Sequence, residues 1–270
     1  MNSNYGLIGE KLGHSISPII HKYIFEYYGI KDSYKLYEVE RDKLGCFIKE
    51  CKADAVKGLN VTIPYKIDVL GYLDEISEEA EKIGAVNTLL FNGGRLSGYN
   101  TDYYGIQLTF KRHNVNVQGK EVVVLGSGGA STAVLQYLKD SNCGKITMIV
   151  RNKEKVLNNS RFSGNQILNY NELNLLGKRD ILINCTPLGM YPDIDNCPVP
   201  HDFLQGFNFI FDLIYNPLKT KLLKYSGEYG ISNCNGLYML IGQAIFAESI
   251  WNNIEVDEAL VEKIFLKLSE

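Results

Sequence analysis

The sequence lacks a large excess of charge of either sign and any long apolar run. Its 28 lysines and arginines nearly balance its 31 aspartates and glutamates, which leaves a net charge of -3. Because nucleic acids and anionic membrane surfaces attract strongly basic proteins, this balance argues against both kinds of partner. No apolar run approaches the length that crosses a bilayer. We therefore expect a soluble globular protein that binds neither nucleic acid nor membranes.

The spacings typical of metal sites and disulfide frameworks are also missing. The four histidines are scattered along the chain, and none of the six cysteines belongs to a Cys-x-x-Cys pair. We therefore predict no metal site. No signal-peptide pattern precedes the cysteines, so we expect reduced thiols in a cytoplasmic protein. The sequence shows no internal repeat and no low-complexity tract.

A glycine-rich turn near the middle of the chain carries the strongest local signal. Val122 to Leu125 is an apolar run that predicts a buried parallel strand, and Ala130 to Lys139 predicts a helix. Between them, Gly126 permits a tight turn and Gly128 lets backbone N–H groups approach a pyrophosphate. Ser131 replaces the third glycine of the full fingerprint. The pattern favours a dinucleotide site over an ordinary strand–helix turn.

The residues after the next strand indicate which dinucleotide is bound. Ile146 to Val150 predicts that strand, and its end is followed by Arg151 and Lys155 rather than by an acidic residue at the tip. An NAD site carries an acid there, whereas cations match a 2′-phosphate. The sequence thus favours NADP over a solvated basic loop. Further strands are predicted in a doubly wound, mostly parallel sheet: Ile181–Asn184, Phe209–Leu213 and Ile231–Cys234.

More than a hundred residues precede this nucleotide-binding half, so a chain of 270 residues predicts two domains. The first begins with a predicted strand, Tyr5 to Gly9. We expect Ser17 to be the N-cap and Pro18 the first residue of a helix that runs to Tyr28. Capping does not explain Ser15, and two hydroxyls at a helix N-terminus can also hold a carboxylate. On this stretch alone, capping is the simpler interpretation.

Three polar residues in the rest of the chain have two interpretations each. Lys66 follows a predicted strand, Leu59–Ile63, and is either a ligand-edge residue or a solvated charge. Asp102 either caps the following helix or pairs with Lys66 for acid–base chemistry. Gln243 lies in an apolar helix and needs a partner, either structural or a ligand. Sequence spacing leaves all three open.

The chain resembles the shikimate dehydrogenase family in seven motifs that occur in the family's order. The resemblance extends from Gly9 to Trp251, nearly the whole length. The motifs are Ser15–Pro18, Asn60–Lys66, Gly84–Thr88, Asn100–Asp102, Gly126–Ala130, Asp212–Pro217 and Asn235–Gln243. It implies two α/β domains, the second a Rossmann-type doubly wound parallel sheet, with a cleft between them. The substrate-binding catalytic domain would comprise residues 1–102 and 237–270, and the NADP-binding domain residues 103–236.

The resemblance also implies an activity and a set of site residues. The reaction would be the NADPH-dependent, reversible reduction of 3-dehydroshikimate to shikimate in aromatic amino-acid biosynthesis. Lys66 would be the acid–base residue, with Asp102 beside it. The substrate would be bound by Ser15, Ser17, Thr62, Asn87, Asp102, Tyr215 and Gln243. NADP(H) would be bound by Glu78, Gly126, Ser127, Gly128, Gly129, Ala130, Arg151, Lys155, Leu213 and Gly236.

The departures from the family pattern lie mainly in the nucleotide-binding half. The family's Asn-Arg-Thr is Val150-Arg151-Asn152 here, and its Asn-Ala-Thr-Ser is Asn184-Cys185-Thr186-Pro187. These changes remove side chains that can contact phosphate. Two other functions stay open: a quinate/shikimate dehydrogenase that uses NAD(P), and a non-catalytic NADP-binding regulator. We expect a monomer or homodimer that acts on a small molecule.

Overall fold

The computed structural model describes residues 5–54, 56–177 and 179–270. The chain forms two compact units, one of Met1–Gly105 with Leu240–Glu270 and one of Ile106–Met239. Each unit contains a sheet flanked by helices. The predicted α/β class is confirmed in both.

The first unit has a mixed sheet with the strand order β2-β1-β3-β5-β6-β4. Strands β1, β2 and β3 are parallel, whereas β5 runs antiparallel to both β3 and β6. The two-residue strand β4 was not predicted, because a segment so short has no periodicity to detect. The elements are β1 (Tyr5–Gly9), α1 (Ser17–Tyr28), β2 (Tyr34–Glu38), α2 (Leu44–Ala53), β3 (Gly58–Val61), β4 (Glu75–Ile76), α3 (Glu78–Ile83), β5 (Thr88–Asn92) and β6 (Arg95–Tyr99), followed by α4 (Asp102–Arg112).

Trp251 is central to the core of this unit. A Cβ atom at Gly58 would overlap the Trp251 indole, so the glycine gives the ring room to lie against β3. The indole Nε1 atom donates to the Leu89 carbonyl at 2.9 Å. The Tyr5 ring lies 5.2 Å from the Trp251 ring, centroid to centroid. The tryptophan therefore has its polar atom satisfied while its rings are buried.

The second unit has a parallel sheet with the strand order β12-β11-β10-β7-β8-β9. This is the doubly wound arrangement that the apolar runs predicted, and ligands of such sheets bind beyond the carboxyl ends of the central strands. The elements are β7 (Glu121–Leu125), α5 (Gly129–Asp140), β8 (Lys145–Val150), α6 (Lys153–Leu157), β9 (Gln166–Asn169), β10 (Ile181–Asn184), β11 (Phe209–Asp212), α7 (Lys221–Glu228) and β12 (Ser232–Cys234). The last two helices are α8 (Leu237–Asn252) and α9 (Glu258–Ser269), and the chain from Leu240 onward belongs to the first unit.

Several predicted boundaries are corrected by the structure. The strand predicted to reach Ile63 ends at Val61, and a 3-10 helix follows over Asp68–Tyr72. Strand β9 was not predicted, since only two of its four residues are apolar. Further 3-10 helices are Arg41–Lys43, Ser160–Phe162, Tyr170–Leu175 and Asp202–Leu204. Within the described residues, no helix has both the length and the apolar character needed to cross a membrane.

Candidate active site

Lys66 and Asp102 form a close ion pair in the first unit. Lys66 follows β3 after a short turn, and Asp102 is the first residue of α4. The Lys66 Nζ atom lies 2.6 Å from the Asp102 Oδ2 atom, and only 15% and 8% of the two side chains are exposed. Because little water or salt screens such a pair, the carboxylate holds the ammonium group firmly in place. The structure thus joins two residues that sequence spacing left apart.

Asn87 contacts the other oxygen of the same carboxylate. Its Nδ2 atom donates to Asp102 Oδ1 at 2.9 Å, and its Oδ1 atom accepts the Thr101 backbone N–H at 2.7 Å. Both Asn87 and Asp102 are buried. Because both carboxylate oxygens accept hydrogen bonds, the Asp102 side chain has a fixed orientation. Lys66, Asn87 and Asp102 therefore form one cluster.

Ser15 and Ser17 lie together, but Ser17 is not the helix N-cap. Helix α1 begins at Ser17, and Ile16 is its N-cap, without a side-chain capping bond. The predicted cap was wrong because Ser17 already has helical backbone, which puts its hydroxyl in the first turn. The Ser15 and Ser17 Oγ atoms are 3.1 Å apart, and the Ser17 N–H donates to Ser15 Oγ at 3.3 Å. Capping therefore does not account for the Ser17 hydroxyl.

Thr62 lies at the same edge of the sheet as Ser15. Strands β1 and β3 are parallel neighbours, so the segments that follow them leave the sheet on one side. The Thr62 N–H donates to the Ile8 carbonyl at 3.0 Å, which attaches the segment after β3 to the end of β1.

Gln243 is on α8, where its Nε2 atom donates to the Leu240 carbonyl at 2.8 Å. Its amide thus has a structural partner, and its contact with a ligand stays a prediction.

The glycine-rich turn of the second unit has the backbone that an anion site needs. Gly126 has φ +95°, a conformation that other residues rarely adopt. Gly128 is the N-cap of α5, and no side chain among the described residues caps it. A Cβ atom at Gly128 would meet only open space. Ser131, which replaces the third glycine, is buried and donates to the Gly128 carbonyl at 2.6 Å.

The segment after β8 presents basic side chains to solvent. Arg151 and Lys155 are exposed, whereas the Lys153 Nζ atom lies 2.9 Å from both carboxylate oxygens of Glu172. Since its charge is neutralised, Lys153 is a poor phosphate ligand. Arg151 directly follows the strand, which is where the sequence predicts a contact to the 2′-phosphate.

The other predicted cofactor residues are divided between the units. Leu213 and Gly236 touch, because a Cβ atom at Gly236 would overlap the Leu213 backbone carbonyl. Tyr215, which is predicted to bind the substrate, lies two residues after Leu213 in sequence and is half-buried. Loss of hydration raises the pKa of its hydroxyl. Glu78 begins α3 in the first unit, where its carboxylate lies 2.6 Å from Lys82 Nζ.

Asp212 is a buried structural residue to which the sequence reasoning gave no role. Its buried carboxylate accepts from Thr220 Oγ1 at 2.6 Å, from Asn184 Nδ2 at 2.9 Å and from the Ile214 N–H at 3.2 Å. Burial raises its pKa to about 6, although these hydrogen bonds act to lower it. The carboxylate thereby ties together the segments that follow β10 and β11. The signal in the sequence was a polar residue at the end of each of two apolar strands.

The described part of the chain has no group of three or more His, Cys, Asp or Glu side chains placed to hold a metal ion.

Family models match both halves of the chain. One, described as the shikimate dehydrogenase substrate binding domain, matches residues 7–89, and another, described as shikimate / quinate 5-dehydrogenase, matches residues 108–190. A shikimate dehydrogenase (NADP(+)) of Clostridium beijerinckii is 46% identical over 263 residues, which are 97% of this chain and 96% of that protein. The chain belongs to the shikimate dehydrogenase family.

Solved structures related to shikimate dehydrogenase have the same fold. A chorismate mutase/shikimate 5-dehydrogenase fusion protein from Clostridium acetobutylicum is 49% identical, with a TM-score of 0.95 over 98% of this chain and 96% of that one. A shikimate 5-dehydrogenase from Thermus thermophilus, in complex with NADP(H) and shikimate, is 29% identical, with a TM-score of 0.87 over 97% and 98% of the two chains. The predicted family is confirmed.

One departure from the shikimate dehydrogenase pattern has a structural use. Asn152 stands where the resemblance leads us to expect threonine. Its Oδ1 atom accepts the Lys155 N–H at 2.9 Å and caps α6. The side chain is thus engaged with the chain's own backbone, and Arg151 and Lys155 remain the exposed basic groups beside it.

Proposed function

We propose that this chain catalyses the reversible, NADPH-dependent reduction of 3-dehydroshikimate to shikimate in aromatic amino-acid biosynthesis. The observation that carries the proposal is the partly buried ion pair between Lys66 and Asp102. Carbonyl reduction develops negative charge on oxygen and needs a proton there. An ammonium group held by a carboxylate supplies both. The relatives named shikimate dehydrogenase (NADP(+)) support this reaction.

In the proposed mechanism, Lys66 stabilises the developing alkoxide and donates a proton from Nζ. Asp102 keeps the ammonium oriented, and Asn87 keeps Asp102 oriented. In the reverse direction the neutral amine of Lys66 takes the hydroxyl proton of shikimate. When bound, NADPH supplies the hydride that reduces the carbonyl carbon.

The remaining predicted residues of the substrate site have binding roles. Ser15 and Ser17, whose hydroxyls lie together at the start of α1, would hold the substrate carboxylate. Thr62, Asn87, Tyr215 and Gln243 would contact the ring and its hydroxyls. These roles divide the work, since the carboxylate partners fix the substrate while Lys66 acts at the reacting oxygen.

The second unit fits the predicted cofactor. The left-handed turn at Gly126 and the open space beside Gly128 allow a phosphate group to approach the backbone at the start of α5. We assign the pyrophosphate to residues 126–130, the 2′-phosphate to Arg151 and Lys155, and the adjoining groups to Glu78, Leu213 and Gly236. Residues 103–236 would then be the NADP domain, and residues 1–102 with 237–270 the substrate domain.

Parallel assays test the proposal. The absorbance of NADPH and of NADH is followed with 3-dehydroshikimate and, separately, with 3-dehydroquinate, with Lys66→Met as the matched control. We expect the fastest turnover with NADPH and 3-dehydroshikimate. Preference for 3-dehydroquinate would favour the quinate enzyme, and no turnover with any pair would favour the NADP-binding regulator.

We also propose that the protein acts in the cytoplasm as a monomer or homodimer. The near-neutral charge and the six free thiols support the location. Light scattering after size exclusion measures the mass of the particle, and cell fractionation followed by immunoblotting locates it. A larger assembly or a membrane-fraction signal would contradict these proposals.

A further inference from the structure

A line of buried polar side chains leads from the core of the first unit to Asp102. The Tyr34 hydroxyl donates to Asn60 Oδ1 at 2.7 Å, and Asn60 Nδ2 lies 3.1 Å from Thr88 Oγ1. Thr88 Oγ1 in turn lies 3.0 Å from Asn87 Oδ1. Thr88 is fully buried and Asn60 is 4% exposed. Buried polar groups are costly unless each is paired, so a connected set of this kind adopts one arrangement.

Two backbone groups fix the orientation of both amides in this line. The Asn87 carbonyl only accepts, so the Asn60 atom that lies 3.3 Å away is Nδ2. The Thr101 backbone N–H only donates, so the Asn87 atom that lies 2.7 Å away is Oδ1. The Thr88 hydroxyl therefore accepts from Asn60, and the nearest acceptor for its single proton is Asn87 Oδ1 at 3.0 Å. The Thr101 hydroxyl lies 3.1 Å from Thr88 Oγ1 and is a second partner that can give or take a proton there.

The consequence reaches the ion pair through the Asn87 amide. With its oxygen held by donors, the amide presents Nδ2 to Asp102 Oδ1 at 2.9 Å. Rotation of the amide by half a turn would place its oxygen against the carboxylate, which has no proton to share. The Thr101 hydroxyl, 3.2 Å from Asn87 Oδ1, adds to the same preference.

We propose that Thr88 is a positioning residue for carbonyl reduction. Its hydroxyl, oriented by Asn60, acts together with the Thr101 backbone N–H to hold the Asn87 amide with its N–H toward Asp102, and Asp102 then holds the Lys66 ammonium. Because Thr88 is fully buried, it acts through Asn87 rather than on the substrate. The inference rests on the proposed function, since its effect is on the rate of that reaction.

Two substitutions at one position separate the hydroxyl from the shape of the side chain. Thr88→Val keeps the shape and removes the donor, whereas Thr88→Ser keeps the donor and removes a methyl group. Loss of one neutral hydrogen bond predicts a kcat about 3- to 10-fold lower for Thr88→Val, with the KM for NADPH unchanged. Thr88→Ser should stay within about 2-fold of the wild-type kcat, although it loses packing. Equal kcat values for the two folded variants would overturn the proposal.

The Lys66→Met background shows whether the effect passes through the ion pair. Without the ammonium there is nothing for Asp102 to hold, so Thr88→Val should change the residual kcat by less than about 2-fold. A loss in this background as large as that in the wild-type background would show a general structural role and overturn the proposal.

Two further results complete the test. If Thr88→Val does not fold, Thr88→Ala compared with Thr88→Ser removes only the hydroxyl and carries the same expectation. Turnover by the wild-type chain is measured first. Its absence would overturn the proposed function and this inference with it, whereas wild-type turnover with equal valine and serine variants would overturn this inference alone.

Discussion

Each unit of the protein contains a buried pair of asparagine and aspartate with the same local geometry. In the first unit Asn87 Nδ2 donates to Asp102 Oδ1, and in the second Asn184 Nδ2 donates to Asp212 Oδ1, both at 2.9 Å. All four residues are buried, and each pair joins segments at strand or helix ends. The pairs therefore share their donor, their acceptor and their burial.

The difference lies at the second carboxylate oxygen. Asp102 Oδ2 accepts from the Lys66 ammonium at 2.6 Å, whereas Asp212 Oδ2 accepts from the Thr220 hydroxyl at the same distance. A hydroxyl neutralises no charge, and burial raises the pKa of Asp212 to about 6. One cation thus distinguishes the pair that contains the proposed proton donor from the pair that joins two loops.

Replacing the cation should have the largest effect, because Lys66→Met makes the first pair resemble the second. We expect kcat to fall by roughly 10²–10⁴, the range for loss of a positioned acid–base group, while the KM for 3-dehydroshikimate stays close to wild type. The fold should persist, since Lys66 lies beyond a strand end. Steady-state kinetics measures kcat and KM, and urea unfolding shows whether the fold persists. Turnover within a few-fold of wild type would show that Lys66 is not the proton donor.

A double-mutant cycle sharpens this result. Asp102→Asn should also be slow, because the ammonium loses its partner. Residues that act as a unit lose much the same activity singly and together, so the double variant should be far from additive. Additive losses in kcat would mean that the two side chains act independently.

Replacing Asp212 should instead change how the free energy of unfolding depends on pH. Its folded-state pKa, raised from 3.8 to about 6, lies above the unfolded value, so the folded chain binds more protons between these two pH values. The free energy of unfolding should then fall as the pH rises through this window, by about 3 kcal/mol at most. Asp212→Asn should lose this dependence and keep kcat nearly unchanged. Urea unfolding at a series of pH values measures the free energy of unfolding of the wild type and of Asp212→Asn. If the two free energies changed with pH in parallel, the prediction would be contradicted.

The pH test has an internal contrast. Asp257 caps α9, and a hydrogen bond from the Tyr27 hydroxyl is the main cause of its lowered pKa. The sign is opposite, so its contribution to stability is lost as the pH falls rather than as it rises. Asp257→Asn should remove a dependence of that opposite sense.

A substitution at Arg151 should change the affinity for NADPH specifically. Arg151→Glu should weaken NADPH binding by about 1.5–3 kcal/mol, the value of a charge-assisted hydrogen bond, and leave NADH nearly unaffected. The matched control is Lys153→Met, since the charge of Lys153 is already paired with Glu172. Fluorescence titration with each nucleotide measures both. Equal losses for NADPH and NADH would refute contact with the 2′-phosphate.

Ser15→Ala should give the smallest effect and the opposite selectivity. Loss of one neutral hydrogen bond, worth about 1 kcal/mol, should raise the KM for 3-dehydroshikimate about 5-fold, with little change in the KM for NADPH. Steady-state kinetics with each substrate varied in turn measures it. Unchanged substrate kinetics would mean that the Ser15 hydroxyl has a structural role at the start of α1 rather than a role in substrate binding.

The sequence predicts the parts of the fold that depend on long apolar runs. Strands β7 and β10 are almost wholly buried and were predicted from their residues. Strand β9 lies at the sheet edge and has too few apolar residues to stand out. The start of α1 was misplaced because serine before proline is a common cap, and only backbone geometry shows that Ile16 has that position.

The candidate site was predicted in its members but not in its arrangement. Lys66 and Asp102 lie 36 positions apart in sequence. The segment before β5 brings them together, because the Val86 N–H donates to the Lys66 carbonyl and the Asn87 N–H donates to the Tyr99 carbonyl. Asp212 begins one of the seven motifs, but its role was missed because residue types alone do not show that its carboxylate is buried against Thr220 and Asn184. The orientation of the Asn87 amide depends on backbone groups of other segments, which residue types alone do not reveal.

The indole seated on Gly58 gives the molecule a built-in optical reporter. Trp251 is the single tryptophan of the chain and lies in the core of the first unit, whereas the 18 tyrosines are spread over both. Its emission should be that of a ring shielded from water and should shift to the red when this core opens. Tryptophan emission thus reports the unfolding of the first unit. Because the Trp251 indole donates to Leu89, the residue after Thr88, the same emission can show whether a Thr88 variant keeps this core folded.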